Sequence, residues 1–222
     1  MTTASRQRQA GGFTKWDLLI TIVVVALVAG ILLPALMPAK KRYKRIDCVN
    51  LLKQIGLGFR IYAEDHNDHF PWQVSTNAGG TMEFGETTEV YCHFLSASHL
   101  FTSPKVLLCL ADTQRVAANA FTNRLGRPSF GNTNLSFFAG LDADETRPTA
   151  FLSGERNVST NSDTAARILV LSSNSPVHWA GGLHGNAGNI GFADGSVQQT
   201  SHQSLQTALQ NTGLATNRLA IP

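Results

Sequence analysis

The sequence predicts an α+β fold: a long N-terminal helix, half of it in a membrane, whose outer half packs on a small antiparallel sheet. Three observations predict it. An uncharged apolar run extends from Leu18 to Leu33. The segment behind it repeats apolar residues at spacings of three and four. Short apolar runs then alternate with turn-forming residues through the rest of the chain, and one of those turns is an Asp-Gly pair.

The apolar run follows an arm containing Arg6 and Arg8, and Pro34 and Pro38 close it; Thr21 is its only hydroxyl. A surface helix of a globular protein shows a polar face. This one has none, so its preferred surroundings are lipid or other helices like it. At about 1.5 Å per residue, Asp17 to Met37 spans roughly 30 Å, enough to cross a bilayer. Three readings compete for the segment. A secretory signal peptide has an apolar core of about 7–15 residues and a small-residue cleavage site; this core is longer, with Gly30 as its small-residue exit. A plain anchor fits the length but leaves the junction Gly11-Gly12-Phe13 unexplained. The third reading rests on that junction and is taken up below.

Ala39–Glu64 predicts the outer half of the helix, with Ile46, Val49, Leu52, Ile55, Phe59 and Tyr62 on one stripe. Gly56 and Gly58 each cost a helix about 1 kcal/mol relative to alanine, and mark where the body approaches closely. Asp65-His66-Asn67-Asp68 ends the helix, and Gln73–Glu89 is a Gly-, Thr- and Ser-rich loop. A short helix is expected at Phe94–Phe101. Val106–Leu110, Leu135–Phe138, Phe151–Leu152 and Ile168–Leu171 are strand candidates, and Ala111–Gly131 is polar and poorly periodic. Asn189–Ala193 and Ser196–Gln199 flank Asp194-Gly195. That pattern predicts a hairpin with a two-residue type I′ turn, which needs positive φ at both positions. His202–Gln210 predicts a last helix, ending at Gly213.

Charge is unevenly placed. Eight of the 18 lysines and arginines precede Ile46, but only one of the 15 acids, Asp17, does. The body is therefore acidic, and the basic pI is no argument for nucleic acid. Lys40, Lys41, Arg42, Lys44 and Arg45 form a membrane-flanking cluster, each attracting anionic headgroups by roughly 1 kcal/mol. The aromatic residues show no basic interleaving of the kind single strands need, so Trp72 and Trp179 read as core. The three cysteines, Cys48, Cys92 and Cys109, have no close spacing, so no Cys-based zinc site is expected. One disulfide with one thiol left over is the alternative. Cys48–Cys109 is the preferred pair, since both lie in apolar segments.

Asp142, Asp144 and Glu145 are calcium candidates, for an ion that takes about six to eight oxygens; a solvated acidic loop explains them as well. His66 and His69 with Asp65 and Asp68 have a helical metal spacing, but an exposed helix end with cap residues is the preferred reading. No Gly-x-Ser-x-Gly elbow appears, so no enzyme is expected.

The junction Gly11-Gly12-Phe13 before the apolar run resembles the prepilin signature of type IV pilins and type II secretion pseudopilins. His184-Gly185-Asn186-Ala187-Gly188-Asn189-Ile190-Gly191-Phe192-Ala193-Asp194-Gly195 matches the processing-associated H-x9-DG sequence of a prepilin-type subfamily. Cys48-Val49-Asn50-Leu51-Leu52-Lys53-Gln54-Ile55-Gly56, Tyr62-Ala63-Glu64-Asp65-His66-Asn67 and Leu141-Asp142-Ala143-Asp144-Glu145-Thr146-Arg147-Pro148 also resemble that subfamily. The resemblance implies a pilin-like fold with a leader at 1–12, a transmembrane and assembly helix at 13–38, its outer half at 39–64 and a head at 65–222. It implies cutting by a prepilin peptidase between Gly12 and Phe13, and N-methylation of Phe13. Asp17 stands where the family carries an assembly glutamate, beside Lys15 and Trp16 where small or apolar residues are usual. The implied partners are the peptidase, homologous pilin-like subunits and the inner membrane. The implied product is a type II secretion or type IV pilus-like filament, with the head periplasmic or extracellular. Counting basic residues favours the opposite orientation, with Lys40–Arg45 in the cytoplasm. A membrane-tethered, monomeric, exported binding protein is the alternative. His184, Asp194 and Gly195 are expected to be structural: Asp194 makes the turn, and His184 hydrogen-bonds backbone in a glycine-rich loop. No cofactor is expected beyond the calcium candidates.

Overall fold

A computed structural model describes residues 13–124, 127–128, 130–160 and 168–222, with side chains left undescribed at 33–41, 123–124 and 127–128. The leader, Gly12 included, lies outside the described residues. The chain divides into two units, residues 1–42 and 43–222.

Helix α1 runs Lys15–Asp65, 51 residues, through both units. Pro34 and Pro38 close the apolar run without ending the helix, as the expected single long helix requires: an interior proline removes one bond of the i→i−4 ladder and leaves the others. In the first unit, Thr14 starts the helix. Its backbone N–H and hydroxyl donate to Asp17 Oδ2 at 3.0 and 2.7 Å, while the Asp17 N–H donates back to Thr14 Oγ1 at 3.3 Å. This is a capping box with aspartate in the glutamate position. Among the described residues, the segment Lys15–Leu32, with mean hydropathy 2.2, is long and apolar enough to cross a membrane by length and composition.

The second unit is built on a six-stranded antiparallel sheet. Its strands, in chain order, are β3 (Phe137–Gly140), β4 (Phe151–Glu155), β6 (Ile168–Ser172), β8 (Ala187–Phe192), β9 (Val197–Ser201) and β10 (Thr216–Ala220); in space they run β6-β10-β3-β4-β8-β9. Among the described residues, two small ribbons complete the strands: β1 (Asn123–Arg124) with β2 (Arg127–Pro128), and β5 (Val158–Thr160) with β7 (Val177–Trp179). Helix α2 is Tyr91–Ser96 and helix α3 is His202–Asn211. The antiparallel sheet and helices make the fold α+β.

Successive strand residues face opposite ways, and here both faces are covered. Phe137, Ala139, Leu152 and Ala220 join Cys48, Leu52, Ile55, Phe59 and Tyr62 of α1 in one core. Phe138, Phe151, Ile190, Phe192 and Leu219 join Leu205, Ala208 and Leu209 of α3 in the other. The central strands β3 and β4 are buried at every position for that reason. Helix α3 begins on Ser201, whose hydroxyl accepts the Ser204 N–H at 3.4 Å, and its 3.6-residue repeat aims the three apolar residues at the sheet. The buried stripe of α1 differs from expectation at its start: Cys48 is on it, whereas Ile46 is 54% exposed.

Gly58 is a close approach, since a Cβ there would meet the Phe101 ring; a Cβ on Gly56 would stand 3.8 Å from Gly195 Cα, an ordinary contact. Val106–Leu110 is not a strand: Pro104–Leu107 is a 3-10 turn, because Pro104 fixes φ at its first position. The Asp-Gly hairpin forms, but not through a type I′ turn. Gly195 (φ 82°) is left-handed and Asp194 is not. The Gly195 N–H donates to Phe192 O and the Phe192 N–H to Ser196 O, both at 2.9 Å. The loop Ala193-Asp194-Gly195 is thus a type I turn closed by a glycine bulge.

Candidate functional site

The second unit buries four metal-ligating or redox-active side chains in one place. Helix α1 brings Cys48, and Cys109 follows the 3-10 turn; the two are joined in a disulfide with Cα atoms 5.5 Å apart. Cross-linking residues 61 apart constrains the unfolded chain by about 4 kcal/mol on the loop-entropy model. Cys92 on α2 is the free thiol, and burial pushes its pKa up.

Glu155 ends β4 with no solvent exposure. His184, in the loop before β8, places Nε2 3.2 Å from Glu155 Oε1, with the two side chains 5% and 0% exposed. The same nitrogen is 3.5 Å from Cys109 Sγ. Asn189 on β8 donates through Nδ2 to Glu155 Oε1 at 2.5 Å and to the Arg45 carbonyl at 3.4 Å. The sulfur atoms of Cys48 and Cys109, a carboxylate oxygen of Glu155 and an imidazole nitrogen of His184 all lie within 4.8 Å of one another. Two buried polar atoms here lack hydrogen bonds: Glu155 Oε2 and Asn189 Oδ1. Such groups cost about 1–3 kcal/mol each when left unpaired.

His184 therefore does not close its loop by bonding backbone, as the sequence had suggested; its bonds are to side chains. Nor do His184 and Asp194 meet. They bracket β8, and each end of that bracket reaches α1. His184 does so beside Cys48. Asp194 does so through its carbonyl, which accepts Arg60 Nη1 at 3.1 Å, while its Oδ1 accepts the Ser196 N–H at 2.8 Å. Arg45 belongs to the same seam rather than to a membrane-flanking cluster: its Nη2 donates to the Gly188 and Thr200 carbonyls, each at 3.4 Å. The bonding partners of His184 are a carboxylate and a disulfide sulfur. They make no nucleophile–base pair of the kind acyl transfer requires.

The acidic calcium candidates do not converge. Asp142 accepts the Arg218 fork at 2.7 and 2.9 Å. Asp144 accepts Gln73 Nε2 at 2.9 Å and the Thr146 N–H at 2.8 Å, while Glu145 faces Arg60 Nε at 3.5 Å. A cleft of about 470 Å³ adjoins Trp72, Asp142, Asp144, Arg147 and Arg218, and its charges are largely matched within itself. His66 and His69 are also engaged, by the Tyr62 and Asn67 carbonyls at 2.8 and 2.5 Å. Elsewhere, the Arg156 guanidinium grips Asp112 at 2.7 and 2.9 Å. Burial alone would raise the Asp112 pKa, but the Arg156 bonds and charge outweigh it and hold the pKa below the ordinary range.

Compared with protein-family models, curated proteins and solved structures, the chain matches none. Its functional reading therefore rests on its own residues. Two of those in the cluster, Glu155 and Asn189, carried no sequence signal. Glu155 sits in Ser153-Gly154-Glu155, whose glycine suggests a turn in the sequence, but all three residues lie in the buried strand β4, paired between β3 and β8. The Thr14–Asp17 capping box, outside the cluster, was also missed, although Thr-x-x-Asp ahead of an apolar run is a sequence signal for it.

Proposed function

We propose that this chain is a structural, pilin-like subunit. A prepilin peptidase cuts between Gly12 and Phe13. The apolar segment of α1 then holds the protein in the inner membrane, with the second unit on the periplasmic side. Association of that segment with other pilin-like subunits builds a type II secretion or type IV pilus-like filament.

The observation that supports this reading is the segment Lys15–Leu32. It is helical, none of it is buried, and it carries apolar side chains on all sides. Its third residue is the carboxylate Asp17, the fifth residue counting from Phe13 of the Gly-Phe junction. A carboxylate at the edge of a span costs energy that falls from about 2.5–3.5 kcal/mol at the membrane centre toward the interface. A new amine on Phe13 of a neighbouring subunit is the partner that offsets it.

The test is the mature mass in membranes of the native host. Wild type is expected to begin at Phe13, and Gly12→Val to retain its leader, because a subsite built around glycine has no room for a branched Cβ. Identical mature masses for the two proteins would discard the prepilin reading and leave a tethered protein that needs no processing.

A further inference from the structure

We propose that Cys48, Cys109, Glu155 and His184 form a zinc site in the dithiol form of this protein, the disulfide being the metal-free arrangement of the same four side chains. The proposal stands on the second unit alone and is independent of how the N-terminal segment is used.

The donor set is the first argument. Two thiolates, an imidazole and a carboxylate are the ligands Zn²⁺ takes in tetrahedral sites, with bonds of about 2.3 Å to sulfur and about 2.0–2.2 Å to nitrogen and oxygen. Those bonds fix the edges of the tetrahedron at about 3.3 Å between nitrogen and oxygen and about 3.5 Å between nitrogen and sulfur. His184 Nε2 lies 3.2 Å from Glu155 Oε1 and 3.5 Å from Cys109 Sγ. Two edges of the site are thus already drawn while the sulfurs are still bonded to each other.

Burial is the second argument. Glu155 is fully buried, its Oε2 has no hydrogen bond, and its Oε1 is held by Asn189. A carboxylate is retained at such a depth when a cation or a metal meets it. Asn189, bonded to the Glu155 oxygen nearest His184, has the place of an outer-shell partner that orients a ligand. The four residues come from α1, the loop after the 3-10 turn, β4 and the loop before β8, so a metal here would tie β4 and the loop before β8 to the two elements that the disulfide already joins.

The conversion balances as follows. A dithiol reductant gives two electrons and two protons to the Cys48–Cys109 bond and leaves as its own cyclic disulfide, and two thiols result. The freed sulfurs separate to the about 3.8 Å edge that Zn–S bonds set. Zn²⁺ binds with release of both thiol protons, to Glu155 and to the unprotonated Nε2 of His184.

The experiment uses the full chain in detergent, carrying Cys92→Ser, reduced and freed of metal without air. Titrated with Co²⁺, it is expected to take a single equivalent. The spectrum should show a thiolate-to-cobalt charge-transfer band and the visible bands of tetrahedral cobalt, and Zn²⁺ should bleach both. The disulfide form should take none. Asn189→Ala, which leaves all four ligands, should weaken binding by about 10–100-fold, and His184→Gln by more. Uptake by the dithiol form no greater than that of the Cys48→Ser/Cys109→Ser variant would overturn the site, as would His184→Gln binding as tightly as its parent. A second measurement needs no substitution. In the reduced wild-type chain, Zn²⁺ should slow alkylation of Cys48 and Cys109 but not of Cys92. Equal rates with and without Zn²⁺ would overturn the proposal on their own.

Discussion

Helix α1 holds two regions of equal regularity and opposite fate. From Leu18 to Leu32 its large apolar side chains are 50–67% exposed; from Cys48 to Tyr62 the five on the inner stripe are 1% exposed or less. Hydrophobicity does not separate them, since the exposed region is the more apolar. Pattern does. The first region is apolar in every direction and gives a sheet no preferred face to cover. The second has one apolar stripe, with Lys53, Leu57 and Glu64 turned outward, so burying it leaves the charges in water. A helix packs on a globular body through contrast between its faces, and a region without contrast needs an apolar solvent of its own.

The largest effect that would break this comparison is truncation on each side of it. Phe59 is fully buried among Trp72, Phe94 and Phe101, with ring centroids 5.3, 5.4 and 6.0 Å away. Phe59→Ala should cost about 3–5 kcal/mol, as deletion of a packed aromatic usually does. Leu27→Ala, in the exposed region, should move the melting of the second unit by less than about 0.5 kcal/mol. Thermal melting of the full chain in detergent, followed by tryptophan fluorescence, checks both. Comparable losses would mean that the two regions of α1 are not separate in energy.

A smaller effect comes from acid. Burial lowers the pKa of His93 to about 4 from its ordinary 6.5, and its Nδ1 lies 2.8 Å from Thr81 Oγ1. Between those values the unfolded chain binds the proton and the folded chain does not. The contribution is therefore complete above pH 6.5 and is lost as pH falls toward 4, by about 3 kcal/mol. His93→Gln should flatten the dependence of unfolding free energy on pH across that window. An unchanged slope would place the acid sensitivity elsewhere in the second unit.

The same contrast explains what was legible in the sequence. The stripe of α1, the last helix and the β8–β9 hairpin show local periodicity, and local periodicity survives folding. The β10 strand did not show itself: Thr216-Asn217-Arg218-Leu219-Ala220 reads as polar, yet it lies inside the sheet because Asn217 and Arg218 find partners in Thr212 and Asp142. Val158–Thr160 and Val177–Trp179 are too short to show an alternation. In the cluster, residues 48, 109, 155 and 184 are too far apart in sequence for any spacing rule to join them. Only the sheet order, which sets β4 beside β8 under α1, brings them together.

The smallest expected effect on stability carries the sharpest test of the exposed region. Asp17 accepts two bonds from Thr14 at the helix start, so its carboxylate has a local use whether or not a neighbouring subunit supplies an amine. Asp17→Asn separates the two uses, because the amide oxygen still accepts from Thr14 while the charge is gone. Thr14→Ala does the reverse, removing the cap at about 0.5–2 kcal/mol of local helix stability and keeping the charge. Neither should shift the melt of the second unit by more than about 0.5 kcal/mol. In the proposed filament subunit, cross-linked oligomers in membranes should fall sharply for Asp17→Asn and persist for Thr14→Ala. Loss in both would make the cap, not the charge, the requirement. Equal yield in all three proteins would show that the apolar region anchors a monomer, and that its lack of contrast is a fit to lipid alone.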